Sequence, residues 1–234
     1  MQTFVPYKIS IMLSINFTNN KTHSFLNKAF VIGSILLGSL SSFAQSDDRR
    51  EDFGIGFKGG INRSNVWDEQ GQDFRADAKT GLAAGLFMSL PLGETFGIQP
   101  ELMLSQKGFK GSGTLLGTGY SLTRTSSFID IPIQLQIKPA EFFTFLIGPQ
   151  YSYLLRQKDV YTFGANSTEQ LQEFNNDNIR KNIFGFTIGA DVNIKHLILS
   201  GRIAWDIIKN NGDGTTTTPR YKNQLVQFTI GYRI

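Results

Sequence analysis

Seven charged side chains, Lys58, Glu101, Lys107, Asp130, Asp191, Arg202 and Arg233, are the residues with the most chemical potential in this chain. Each falls on the polar phase of a segment that alternates polar and apolar residues. A fold that closes those segments on one another therefore gathers both signs of charge in one interior. Such a set works either as a gated polar path or binding site, or as a paired network that fills the interior. Burial of charge is tolerated where opposite signs pair. In a barrel of eight strands side chains fill the interior, which favours the plug.

Other chemistry finds little support. Covalent or acid–base catalysis needs a nucleophile or activated water beside a general base, most often His. The chain has no Cys, and its histidines are His23 and His196, the latter in a tight turn, Lys195-His196. No catalytic residue is assigned. Gly54-Ile55-Gly56-Phe57-Lys58-Gly59 matches G-x-G-x-x-G, with Asp77 near the spacing of a ribose-binding acid. That motif binds dinucleotides only between a strand and a helix. Here it follows the hydrophilic stretch 46–52 and lies inside a strand-period segment, so small residues in a narrow interior explain it and no cofactor is expected. Asn210-Asn211-Gly212-Asp213-Gly214 has the look of a calcium loop but lacks the bidentate acid. It reads as a turn, and no metal site is assigned. Ser167-Thr168-Glu169-Gln170 is expected to cap a short helix running through Leu171 and Phe174.

The elements that position the charges are strands. Ile129-Asp130-Ile131-Pro132-Ile133-Gln134-Leu135-Gln136-Ile137-Lys138 alternates throughout, and a strand turns successive side chains to opposite faces. Eight segments share the pattern, at 53–61, 81–90, 95–107, 127–138, 142–155, 183–194, 197–206 and 224–234. One phase is bulky and apolar, as in Leu82, Ala84, Leu86, Met88 and Leu90, or Val226, Phe228, Ile230 and Tyr232. The opposite phase holds the seven charges with Gln99, Gln134, Gln136, Thr144, Gln150, Thr229 and many glycines. A soluble barrel places its aliphatic phase inside. A narrow interior made of the small, polar phase leaves the bulky phase outside, which is favourable only in hydrocarbon. The expected fold is an all-β, eight-stranded antiparallel transmembrane β-barrel over 53–234.

Connections alternate in length. Pro91-Leu92-Gly93-Glu94, Pro139-Ala140-Glu141 and Lys195-His196 are short, while 62–80, 108–126, 156–182 and 207–223 are long and polar. Outer-membrane barrels pair short periplasmic turns with long extracellular loops in this way. Phe53, Tyr151, Tyr153, Trp205 and Tyr232 lie near strand ends, where aromatic girdles form.

The N-terminus reads as an export signal. Lys28 precedes the apolar run Ala29-Phe30-Val31-Ile32-Gly33-Ser34-Ile35-Leu36-Leu37-Gly38, and Ser42-Phe43-Ala44 offers small residues for cleavage after Ala44. The run is too short and interrupted for a spanning helix. Residues 1–44 are thus expected to be a signal peptide, with Met12 an alternative start, and 45–52 a short periplasmic segment. Lys8, Lys21 and Lys28 fall in the leader without an acid, leaving 20 of the 23 basic residues against all 19 acids. That near-neutral balance gives nucleic-acid binding no support.

Phe57-Lys58-Gly59-Gly60-Ile61-Asn62, Gln99-Pro100-Glu101-Leu102, Asp130-Ile131-Pro132 and Gly148-Pro149, in this order, resemble the PorT-like outer-membrane β-barrel family across 53–234. The resemblance implies the outer membrane of a Bacteroidota-type Gram-negative bacterium. Its namesake is linked to a system that exports proteins across that membrane, while most members have no established activity. The ending Tyr232-Arg233-Ile234 departs from the aromatic terminus usual in barrels. The expectation is a non-enzymatic structural or surface-interaction protein, a monomeric barrel in contact with outer-membrane lipid, acting through its extracellular loops on a protein partner. An accessory role in secretion, and a narrow transport pore, are the alternatives.

Overall fold

The computed structural model describes residues 48–67, 76–115, 118–163, 166–172, 179–210 and 221–234. Contacts divide the chain into a unit ending at Asp47 and a unit spanning Asp48–Ile234. The expected signal peptide lies outside the described residues.

Among the described residues of the second unit there are nine strands: β1 (Gly54–Trp67), β2 (Ala76–Pro91), β3 (Phe96–Leu115), β4 (Thr118–Ala140), β5 (Phe143–Phe163), β6 (Asn166–Gln172), β7 (Asn182–Ile194), β8 (Leu197–Asp206) and β9 (Lys222–Arg233). Neighbours in the order β4-β3-β2-β1-β9-β8-β7-β5 pair antiparallel, and β4 also pairs with β5, so eight strands close into a ring. Closure leaves no edge in that ring. Each of the eight expected segments falls on one ring strand, with Phe53, Thr95, Phe142 and Ile234 the single end residues that lie outside.

Period-two alternation sets the two faces. Outward side chains such as Leu82, Leu86, Ile133, Phe228 and Ile230 are exposed, while inward Lys58, Glu101, Asp130, Gln134 and Arg202 are buried. A band of exposed aliphatic and aromatic side chains around a polar interior is the reverse of a water-soluble barrel. The interior is narrow enough to require glycine at close approaches. A Cβ on Gly56 would stand 2.2 Å from the Tyr232 carbonyl oxygen and 2.5 Å from the Phe87 ring, which accounts for the middle glycine of the G-x-G-x-x-G match; Gly59 is exposed on the outer face, and a Cβ there would meet only the Ala83 carbonyl oxygen at 3.9 Å. The two-residue turn from β7 to β8 holds Lys195 at φ 55°, a left-handed conformation uncommon for residues other than Gly.

Two expectations need correction. Segment 108–126 is not a long loop, because β3 runs on to Leu115 and β4 begins at Thr118, paired from Ser105↔Phe128 through Leu115↔Thr118. The helix expected after Ser167 is instead strand β6, paired with β5 from Gln157↔Gln172 to Phe163↔Asn166; Phe174 lies outside the described residues. The physical reason is an edge that needs covering. β7 pairs with β5 only as far as Tyr153↔Asn182, so the backbone of β5 beyond that point finds its hydrogen bonds in β6.

β3, β4 and β5 span 20, 23 and 21 residues, where about ten suffice to cross a bilayer. Their polarity inverts along the way. In β4 the outward positions change from Ile133, Ile131 and Ile129 to Ser127, Thr125 and Thr123. The inward ones change from Gln134, Pro132 and Asp130 to Phe128, Ser126, Arg124, Leu122 and Tyr120. A register shift at Ser127/Phe128 keeps β5 in step, placing Gln157, Asp159, Tyr161 and Phe163 on the same side as Arg124 and Leu122. Beyond this level the outer face suits water, while the other face is apolar and aromatic, buried at Phe128 and exposed at Tyr120, Tyr161 and Phe163 near the strand ends.

Candidate functional site: the barrel interior

The centre of the barrel is built on Glu101. β1, β3 and β8 bring Lys58, Glu101 and Arg202 together although up to 101 positions separate Glu101 and Arg202 in sequence. Glu101 Oε1 accepts hydrogen bonds from Lys58 Nζ at 2.7 Å, Gln99 Nε2 at 2.7 Å and Arg202 Nη2 at 2.7 Å. Its Oε2 accepts from Arg202 Nη1 at 2.5 Å. The guanidinium is therefore bidentate, the strongest form of this pair. Asp191, which accepts from the Ser200 hydroxyl, adds a second negative charge to balance the two cations. Gln136 donates to Gln99 Oε1 at 2.6 Å and accepts from Ser89 Oγ at 3.0 Å, extending the network toward the short turns.

A second pair lies toward the long-loop end. Lys107 Nζ donates to Asp130 Oδ1 at 2.9 Å and Ser152 Oγ at 3.2 Å, and lies 4.6 Å from the centre of the Phe128 ring. Asn62 bridges the wall by donating to Ser105 Oγ at 2.8 Å and accepting from Gln227 Nε2 at 2.8 Å. Between the two ion pairs a cavity of about 10 Å³ is lined by Met103, Asp130, Gln150, Arg202 and Gln227, among others. That is about the room one water occupies. Both side-chain polar atoms of Gln134, with Arg202 Nε and Thr229 Oγ1, are buried without a protein partner.

Above these pairs the interior turns apolar. Phe128, Leu154 and Ile183 form a buried cluster with Ile179 against it. Arg124 donates to both carboxylate oxygens of Asp159, at 2.8 and 2.6 Å, and to Tyr221 Oη at 3.1 Å. The Tyr221 ring meets Phe109 edge-on at 5.5 Å. Burial works against the charge on Arg124, but its hydrogen bonds with Asp159 hold the guanidinium above its ordinary pKa. Burial likewise pushes the Tyr221 phenol up.

Six of the seven charges singled out in the sequence thus face the interior between the strand ends: Lys58, Glu101, Lys107, Asp130, Asp191 and Arg202 are all buried. Arg233 shares their phase but stands at the short-turn mouth. Its Nη2 donates to the carbonyls of Arg49 at 3.1 Å and Asp52 at 2.5 Å, tying the segment before β1 across the opening. Arg50 in that segment pairs with Asp48 at 2.8 Å and with Glu94. His196 Nδ1 lies 2.8 Å from the Arg233 carbonyl oxygen, with its ring stacked on Tyr232. Sequence reasoning missed Arg124, Asp159 and Tyr221. The signal was present: Leu122, Arg124 and Ser126 continue the alternation of β4, but with the apolar phase exchanged.

Among the described residues no group of three His, Asp or Glu side chains is placed to hold a metal ion. Most of the calcium-like loop at 210–214 lies outside the described residues.

The sequence model of the "Outer membrane protein beta-barrel domain" family matches residues 43–210. No curated protein matches the chain. Among solved structures, the attachment invasion locus protein Ail of Yersinia pestis aligns at 9% identity over 77% of this chain and 98% of its own, with a TM-score of 0.45. Neisserial surface protein A aligns at 8% identity over 77% and 97%, TM-score 0.40. OprG from Pseudomonas aeruginosa aligns at 12% over 77% and 95%, TM-score 0.38.

Proposed function

Because this chain belongs to the outer membrane protein beta-barrel domain family, we propose that it is a closed, non-enzymatic outer-membrane barrel that presents an interaction surface outside the cell. In this reading the leader at 1–44 delivers it through the export pathway of a Gram-negative bacterium. The short turns face the periplasm and the long connections the exterior. The observation that carries the proposal is the filled interior beneath the extended strands β3, β4 and β5. Paired charges occupy the centre, an apolar cluster seals the outer mouth, and the strands continue into a sheet edged by β6. That sheet exposes Tyr120, Tyr161 and Phe163. A conduit would need the first feature to be absent, and a bare structural barrel has no use for the second.

The test pairs two measurements on one preparation. Purified protein fused into planar bilayers should give no defined current steps. The same protein immobilised through its periplasmic end should capture a specific extracellular protein, and removal of 156–172 should abolish capture with the barrel still assembled. Uniform current steps would assign a pore instead. A deletion strain that loses exported proteins from its surface would assign the secretion role that the PorT-like resemblance implies.

A further inference from the structure

Three outward side chains on adjacent strands form an arrangement that the barrel itself does not use. Arg63 on β1 stands directly opposite Val226 on β9, which stands opposite Ile203 on β8. One pleat further out, Gln224 of β9 lies between Asn65 of β1 and Trp205 of β8. Arg63 and Gln224 are exposed, as is Trp205 at 39%. Neighbouring strands are about 4.8 Å apart and directly opposed side chains point the same way. The guanidinium, the carboxamide and the indole N–H therefore share one patch of outer wall. Val226 and Ile203 stand level with Arg63, and Ile61 and Phe228 lie below it, all exposed apolar side chains, so the patch sits where the apolar band ends.

Two observations suit this patch to an anion. Arg63 has no hydrogen-bond or ion-pair partner among the described residues, whereas Arg50, Arg124 and Arg202 all meet carboxylates. The outward positions of β1, β8 and β9 also contain no carboxylate: from the mouth downwards they are Trp67, Asn65, Arg63 and Ile61; Trp205 and Ile203; Lys222, Gln224 and Val226. An exposed guanidinium with no carboxylate beside it on β1, β8 or β9, at the edge of hydrocarbon, suits an anion. Guanidinium binds phosphate bidentately, and an indole at this level marks the headgroup zone. A soluble anion would approach from the water above. Because these side chains point outward over aliphatic wall, the ligand comes from the bilayer plane, with acyl chains lying on Ile61, Phe228, Val226 and Ile203.

We propose that Arg63, Gln224 and Trp205 bind the phosphorylated headgroup of an outer-leaflet lipid at the β1–β9–β8 seam. The full chain is reconstituted in phosphatidylcholine vesicles with or without diphosphoryl lipid A, extracted in mild detergent, and the lipid A retained per barrel is counted by native mass spectrometry. Wild type and Arg156→Gln, which alters an exposed cation on β5, should retain lipid A equally. Arg63→Gln should retain about tenfold less, the scale of losing one charge-assisted hydrogen-bonded contact, and Arg63→Lys an intermediate amount. Full retention by Arg63→Gln overturns the proposal, as does equal retention of lipid A stripped of its phosphates. Displacement by millimolar inorganic phosphate alone overturns the lipid as ligand. If Arg63→Gln does not assemble, as judged by heat-modifiable gel mobility, Arg63→Lys decides: retention equal to wild type overturns the proposal.

Discussion

Glu101, buried inside the barrel, holds Lys58, Arg202 and Gln99 on one carboxylate. Glu101→Gln would leave Lys58 and Arg202 facing one another without that charge. Removing one member of a buried ion pair costs about 3–5 kcal/mol, so the heat-modifiable unfolding transition should drop markedly. An unchanged transition would show that the network does not hold the barrel together. The two faces of β4 give a second test at the same scale. Ile133 is 54% exposed on the outer wall and Gln134 is fully buried. Ile133→Arg should cost about 2–4 kcal/mol at mid-membrane and impair assembly. Gln134→Ala should be mild, because both polar atoms of Gln134 already lack a protein partner. Silence of Ile133→Arg would mean that the faces are reversed. These faces were legible in the sequence because period-two alternation needs no partner to be read. The pairing of Glu101 with Arg202, by contrast, depends on which strands meet across the lumen, and no local pattern reports that.

At the level of elements, the ring strands were legible as far as their aliphatic phase extends. β4 is readable from Ile129 to Ile137, where Ile and Leu alternate with polar residues. Past Phe128 the apolar residues move to the other face and thin out, so Leu122 and Tyr120 read as loop. β6 was missed for a different reason. Ser167-Thr168-Glu169-Gln170 has a helix-capping pattern, but the open edge of β5 outweighs local preference by supplying a ladder of backbone partners. The polarity switch makes a testable statement about depth. The chain contains no cysteine, so single-cysteine labelling is clean. Thr123→Cys, on the outward side of the β4 extension, should react with a membrane-impermeant maleimide on intact cells. Glu141→Cys, in the turn from β4 to β5, should react only after the outer membrane is permeabilised. Labelling of both in intact cells would contradict the orientation. The Arg124–Asp159 pair belongs to the same extension. Asp159→Asn should speed proteolysis of the β3–β6 sheet while shifting barrel unfolding by less than about 1 kcal/mol, since Asp159 makes no hydrogen bond or ion pair with the central Lys58–Glu101–Arg202 group.

For the molecule as a whole, the exposed apolar band describes a barrel that spans a membrane, and the paired interior with the apolar cluster at the long-loop end supports the proposal that no path opens through it. What the barrel presents outside follows from the length of β3, β4 and β5, and what it binds is chemistry that alternation alone does not encode. Single-channel recording of the purified full chain in planar bilayers decides whether the barrel is closed. A closed barrel gives a quiet baseline from protein whose heat-modifiable mobility shows it to be folded, the result expected with Lys58, Glu101 and Arg202 in the centre and Phe128, Leu154 and Ile183 clustered toward the long-loop end. Reproducible current steps of uniform size from the same folded protein would contradict it.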